Sequence, residues 1–451
     1  MDVYLEGVGE PVGKLQSKPN EEISFSYTRR DLPHPISISL PVREEPFGDV
    51  AARGFFSNLL FENEMRDQVM EKHGIGPGDI VGLLYHLGTD CPGSISCVPE
   101  GSGSVKRLGV LDDDYEPFDG SPQIPMDLSK AEGLLPVSAE LARFMTALRD
   151  NRRLPPNSED PSPLAGVQGK IAVTRLQDGR LGLPKKGSGA PTTHILKVPR
   201  ASQMHSVRQE HYATRLMSQI QNHETAQTCV IGEGDLQGLL VARFDRKIDG
   251  GEVTRIHQED FCQALGLGHR LKYERDGGPG RIFTVDAIGK LLNETAQPGR
   301  ARLAFLEITL ANMLLGNSDN HAKNHALLYT GPKPILAPAY DIDPVMLDGS
   351  VTHEMSFRIG GARMADDVSR DDLDQFLKAI GAKGLARPLA RRCAQIIEAS
   401  IERALELPRP FAKRLSDVIL QQASHISANV GLGIDVPEFD NVPVNRPDDK
   451  V

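Results

Sequence analysis

An aspartate, a lysine and an asparagine crowd one short polar run, Gly316-Asn317-Ser318-Asp319-Asn320-His321-Ala322-Lys323-Asn324, directly after the nearly all-apolar segment from Leu303 to Leu315. Phosphoryl transfer needs a carboxylate to orient an attacking hydroxyl and, a few residues on, an amide oxygen to help hold magnesium on the phosphates. Asp319 and Asn324 stand at that spacing. Between them, Lys323 can neutralise charge on the transferring group, and His321 is suited to bonding the loop backbone into shape. The spacing alone recurs by chance, so the other parts of such a site carry the decision.

Those parts occur in the order a two-lobed kinase needs. Lys197 closes the β-branched apolar run THILK, where an amine can pair with the α and β phosphates. Glu210 follows 13 residues later on the helical stretch VRQEHYATRLMSQIQ and can orient that lysine. Asp341, in ILAPAYDIDPV, lies 17 residues after Asn324 and is the candidate second magnesium ligand. Asp343 is its rival, although an acid directly before Pro344 fits an Asx turn better. A phosphate-covering loop is expected at Leu164, Ala165, Gly166, Val167, Gln168 and Gly169, which lack a GxGxxG arrangement. No Walker-type GxxxxGK[ST], HExxH, nucleophile triad or metal-ligand cluster competes, and His211, His223, His257 and His353 have no assignable partners.

The elements that must position these residues follow from hydrophobic periodicity. Met1 to Gly101 alternates short β-like runs with one helical stretch, FFSNLLFENEMRDQVMEKHG, and reads as a small α+β subdomain. Residues 102–163 form a helical connection ending in the Pro- and charge-rich linker NRRLPPNSEDPSP. Residues 164–245 carry about five strands and one helix, a β-rich small lobe. Residues 246–430 are mostly helical, and 431–451, rich in Pro, Asp and Asn, predict a disordered tail. The fold class expected is α+β, a two-lobed protein-kinase-like fold with an extra N-terminal α+β subdomain and an all-helical C-terminal lobe.

With 451 residues and 39% hydrophobic content the chain can bury a large core. The five scattered cysteines read as reduced thiols, since they show no paired spacing for zinc. A net charge of -10 opposes strong independent DNA binding, so any nucleic-acid role needs a basic partner. The first residues lack a basic flank and apolar run, and no stretch nears a membrane span, so a cytoplasmic, membrane-free protein is expected.

Together these motifs resemble the HipA family, serine/threonine kinases that are toxins of bacterial toxin-antitoxin modules. FFSNLLFENEMR, LGTDCPGSISCVPEG, LAGVQGK, PTTHILKVP, VARFDR, HQEDFCQALGL, KYERDGGPG, GNSDNHAKNHALL and PAYDID carry the resemblance, which spans roughly Val3 to Val430. It implies ATP and Mg²⁺ as cofactors, Lys197 as the ATP-phosphate lysine, Asp319 as catalytic base, and Asn324 with Asp341 as metal ligands. It implies that Val241 to Phe244 is the hinge whose backbone reads adenine, with Ala242 where the family usually has an acid. Family members often autophosphorylate a serine at the phosphate loop; here Pro163 takes that place and Ser162, one residue earlier, is the candidate. The implied substrate is a translation protein such as an aminoacyl-tRNA synthetase. The implied partner is a HipB-type helix-turn-helix antitoxin, through which DNA is reached indirectly. The N-terminal subdomain is then an antitoxin-docking platform or a brace for the small lobe. A non-catalytic corepressor and a kinase of small molecules or lipids are the competing functions.

Overall fold

Alternating apolar residues at the start of the chain build a four-stranded antiparallel sheet in the order β3-β2-β1-β4, from β1 (Asp2–Leu5), β2 (Gly13–Ser17), β3 (Ile23–Tyr27) and β4 (Ile95–Val98). The structure is a computed structural model that describes all residues except 63, 104–108, 112, 132, 157, 159–161, 165–167, 409–411 and 448–451. Phe25 of β3 meets Phe56 with ring centroids 5.4 Å apart, seating helix α1 (Asp49–Phe56) on the sheet. The single helix expected from Phe55 to Gly74 is broken. A 3₁₀ turn at Ser57–Leu59 and extended backbone at Leu60 separate α1 from α2 (Glu64–His73). Buried Asn58 accounts for the break: its Nδ2 donates to the carbonyls of Gly54 (2.7 Å) and Leu267 (2.8 Å). Helix α3 (Ile80–Leu87) starts where the Asp79 carboxylate accepts from the Gly82 amide.

The region expected to be only helix and linker also supplies strands. These are β5 (Gly109–Val110) and β6 (Tyr115–Pro117), ahead of α4 (Ala139–Asn151). Strand β6 pairs with β8 at the edge of a six-stranded antiparallel sheet ordered β10-β11-β9-β7-β8-β6. Its other strands are β7 (Lys170–Arg175), β8 (Leu181–Pro184), β9 (His194–Lys197), β10 (Thr228–Glu233) and β11 (Leu236–Ala242), with α5 (Ser206–Ile220) between β9 and β10. The first unit continues past the expected lobe boundary through β12 (Arg246–Asp249), β13 (Glu252–Arg255), β14 (His257–Asp260) and the short α6 (Phe261–Ala264). One apolar core runs from Val3, Phe25 and Leu84 to Leu141, Ile171, Leu196 and Leu240. The N-terminal subdomain and the small lobe therefore solidify together.

That unit also holds a buried ionic centre. Asp90 is met by Arg246 (2.8 Å), Arg243 (3.8 Å) and Arg255 (3.9 Å), while Asp245 takes Arg246 (2.7 Å) and Arg243 (3.0 Å). Burial by itself would raise the Asp90 carboxyl, but the surrounding guanidiniums, Arg246 foremost, hold it below the carboxylate range. Such a centre is tolerable only because every charge has partners.

The second unit is built from α7 (Val285–Glu294), α8 (Pro298–Leu314), α9 (Arg370–Ala379), α10 (Arg387–Glu406) and α11 (Lys413–Val430); β15 (Ala326–Tyr329) and β16 (Ile335–Leu336) follow α8 in the chain. Helix α8 is apolar on nearly every side because it is central. Its buried Glu307 is matched by Arg392 Nε at 2.6 Å and accepts the Asn222 amide at 2.8 Å.

Residues 431–447 correct the expectation of a disordered tail. Val442 exchanges two hydrogen bonds with the Gln421 side chain (2.7 and 2.9 Å), and Asn445 does so with His353 through its amide and carbonyl. Composition suggests disorder because this segment has few apolar residues. Buried polar side chains of α11 supply backbone partners that composition cannot reveal.

Candidate active site

The candidate catalytic run begins where α8 stops. Gly316 adopts φ +71°, and the Asn317 amide reaches back to the Asn312 carbonyl (2.9 Å) while the Gly316 amide bonds that of Met313 (3.2 Å). This is a Schellman C-cap, which needs the left-handed glycine. A Cβ at Gly316 would also lie 2.6 Å from Val418 Cγ1. The helix therefore ends abruptly, and the next residues enter the site.

Asn317 ties the site together. Its Oδ1 accepts from the Asp319 amide (3.2 Å), and its Nδ2 donates to the Asp341 carbonyl (3.3 Å) and to Asn312 Oδ1 (2.9 Å). Asn312, buried in α8, is anchored in turn through Nδ2 to the Ile308 carbonyl (3.0 Å). Asp341 sits at φ +60°, a conformation that costs an Asp roughly 1–3 kcal/mol and is retained where surroundings hold it. Asn317 is one such hold. We expect Asn317→Ala to lower kcat by about 10- to 100-fold, the scale of a misplaced catalytic group, at unchanged folded content. Steady-state kinetics beside a thermal melt checks this.

Asn324 closes the loop. Its Nδ2 donates to the Asp319 carbonyl (2.9 Å), and its amide donates to that of His321 (2.8 Å). No hydrogen bond to its Oδ1 occurs among the described residues. Lys323 is buried in the 3₁₀ turn Ala322–Asn324, its carbonyl receiving the Tyr340 hydroxyl at 2.7 Å. An amide oxygen and a carboxylate are hard donors of the kind magnesium takes alongside phosphates, so Asn324 and Asp341 fit that ion.

Burial raises the Asp319 carboxyl above its ordinary range, while a 2.6 Å hydrogen bond from the Tyr273 hydroxyl and the Lys272 charge pull it down. The neighbouring Asp341 charge raises it again, which marks the two acids as electrostatic neighbours. Burial also holds His321 well below its usual value, so it is neutral; its Nδ1 is buried without a partner.

The other expected residues are distributed as follows. Lys197, buried at the end of β9, lies between Lys170 of β7 and Leu239 of β11 in the ladder. Glu210 is buried on α5, in the second unit, whereas Lys197 belongs to the first. Of the residues expected to cover the phosphates, Leu164 and Gly169 are buried and Gln168 half-buried; Ala165, Gly166 and Val167 lie outside the described residues. The amide of Ala242 donates to the Gln227 carbonyl and that of Arg243 to Thr193, so these two amides are engaged within the fold. Phe244, two residues after Ala242, is half-buried. Ser162 Oγ donates to Asp90 Oδ2 at 2.8 Å. Sequence reasoning missed Asn312, Asn317 and Tyr273. A buried-looking amide inside an apolar helix was a usable signal for Asn312, and Tyr273 lay within the motif KYERDGGPG without being assigned a role.

Comparison with known proteins places the chain in a family. Residues 1–98 match the HipA N-terminal domain and residues 162–406 the HipA-like C-terminal domain. The chain belongs to the HipA family of kinases. Putative kinase Y4mE of Sinorhizobium fredii is 33% identical over 85% of this HipA-family chain and 86% of its own length. The serine/threonine-protein kinase toxin HipA of Shewanella oneidensis is 26% identical over 78% of this chain and 77% of its own. In fold the chain is similar to HipA in a Shewanella oneidensis complex of HipA, HipB and operator DNA, with a TM-score of 0.74 and 23% identity, covering 97% of this chain and all of that one. The kinase-like fold expected from the sequence is thus the observed one. All five cysteines are free and buried, and no helix among the described residues is long and apolar enough to cross a membrane.

Proposed function

We propose that this HipA-family kinase passes the γ-phosphoryl group of ATP, with magnesium, to a serine or threonine hydroxyl, and that it acts as the toxin of a toxin-antitoxin pair. The observation that carries the reading is the Asn317 tie, which fixes a base, Asp319, beside a metal-ligand candidate, Asp341, while Asn324 bonds the same loop. Asp319 takes the acceptor proton, Asn324 and Asp341 hold the ion, and Lys197 with Lys323 offsets phosphate charge. The acceptor is a translation protein of the aminoacyl-tRNA synthetase class, and the partner is a HipB-type antitoxin that supplies the DNA contact and lets the pair act as corepressor. The acidic net charge of -10 suits a basic partner.

Ser162 is the proposed autophosphorylation site. Its hydroxyl now donates to the Asp90 carboxylate. A phosphate of about -1.5 to -2 charges replaces that neutral hydroxyl donor with like charge against the carboxylate, which weakens the contact and favours displacement of the start of the phosphate loop. Incubation of the full chain with Mg-ATP should consume ATP and place phosphate on Ser162, both lost with EDTA. Absence of ATP consumption removes the kinase reading; phosphate only at other residues, read by mass spectrometry, removes the Ser162 assignment.

A further inference from the structure

The Tyr273 hydroxyl makes the contact on Asp319 that phosphoryl transfer reserves for the incoming alcohol. It donates to Asp319 Oδ1 at 2.6 Å, a short charge-assisted bond. An acceptor hydroxyl must also donate to this carboxylate before its oxygen can attack. Both cannot hold the same oxygen in the same direction.

The surroundings show that the phenol is held there by the backbone on either side. The Ala322 amide donates to the Lys272 carbonyl (3.1 Å), and the Glu274 amide to that of Ser356 (2.8 Å), stitching residues 272–274 to the catalytic run and to the segment behind it. Ser356 in turn donates its Oγ to the Ser318 carbonyl at 3.0 Å. The Tyr273 ring packs edge-on to His321 with centroids 5.2 Å apart, and the Arg275 guanidinium lies 4.0 Å from its centre. With the backbone on either side hydrogen-bonded, rotation of the Tyr273 side chain is the direct way to vacate Oδ1. The buried, unpartnered Nδ1 of His321 lies beside the same ring, a polar atom that an arriving ligand could satisfy.

We propose that Tyr273 fills the acceptor subsite of Asp319 and that a substrate alcohol binds by displacing it, which makes Tyr273 the residue governing access for serine, threonine or water. This rests on Asp319 being the base. In the transfer that follows, the alcohol oxygen bonds the γ-phosphorus, the bond to the bridging oxygen of ADP breaks, and the alcohol proton passes to Asp319. The phenol takes no part in those bonds.

Tyr273→Phe removes the competing hydroxyl and keeps the ring between His321 and Arg275. Full-length wild type and variant are compared with Mg-ATP, following ADP release to water and phosphate transfer to dephosphorylated casein across a concentration range. The variant should hydrolyse ATP faster and show a lower apparent KM for casein, each on the order of tenfold, the scale of one hydrogen bond to a charged group. No rise in hydrolysis, or a fall in kcat at unchanged KM, overturns the proposal, the latter because the hydroxyl would then be assisting the base. A parallel Asp319→Asn sample separates the failures. If it transfers phosphate at the wild-type rate, the base assignment is wrong; if it is inactive while Tyr273→Phe behaves as wild type, only the role of Tyr273 is wrong.

Discussion

Replacing Asp319 with Asn is expected to lower phosphate transfer by about 10²- to 10⁴-fold, the usual contribution of a positioned general base, and to leave the chain folded. The amide preserves shape and can still receive the Tyr273 hydroxyl, but it cannot accept the acceptor proton. Its effect should appear in kcat more than in the KM for ATP, because the acid is placed to act on the acceptor. Rate measurements at saturating Mg-ATP check this, and the same substitution should abolish growth arrest on expression. The environment supports the size of the effect. Burial raises the Asp319 carboxyl, so it is a stronger base than an exposed aspartate, and the Tyr273 bond with the Lys272 charge limits how far it rises.

The second large effect concerns stability. Asp90→Ala should destabilise the first unit by about 3–5 kcal/mol, because it leaves Arg246, Arg243 and Arg255 buried with one anion fewer. It also removes the acceptor for Ser162 Oγ and for the Thr192 amide and hydroxyl, at 3.2 and 3.0 Å. Urea denaturation of the full chain, following the earlier transition, measures it. The pH dependence has a definite sign. The Asp90 carboxyl is held below its ordinary 3.8 in the folded state, so its contribution is complete above that value and is lost as pH falls through the folded one. The gap between wild type and variant should therefore be constant near neutrality and close in acid.

This ionic centre bears on the role of the N-terminal subdomain. Asp90 comes from that subdomain, whereas Thr192, Arg243 and Arg246 come from the small lobe, and the shared apolar core spans both. Those contacts join the two parts of the first unit, as a brace would. A surface for an antitoxin is compatible with it, since a buried centre commits none of the exposed face.

The parts of the candidate site could be picked out in order along the chain. The polar run after an apolar helix, the lysine closing a strand and the acid after Tyr340 are local patterns, and each is tied to the element that bears it. The nearly all-apolar run before the polar loop is the central helix α8, and Gly316 directly after it is where that helix stops. The boundaries were less legible. Strand β6 joins the small-lobe sheet from a stretch that reads as linker, because its partner β8 is distant in sequence and its own length is three residues. The segment 431–447 reads as disordered for the same reason: its order is conferred by Gln421, His353 and other residues elsewhere in the chain.

The sequence alone determined the family and the kinase-like architecture, and it nominated the candidate acids, amide and lysine, because spacing within one loop or strand is a local property. Tertiary structure alone decided that Asn317 ties Asp319 to Asp341, that Tyr273 lies on the base and that Ser162 rests on Asp90. Each of those contacts joins residues 24 to 72 positions apart, or hangs on such a contact, and only packing can bring them within hydrogen-bonding distance.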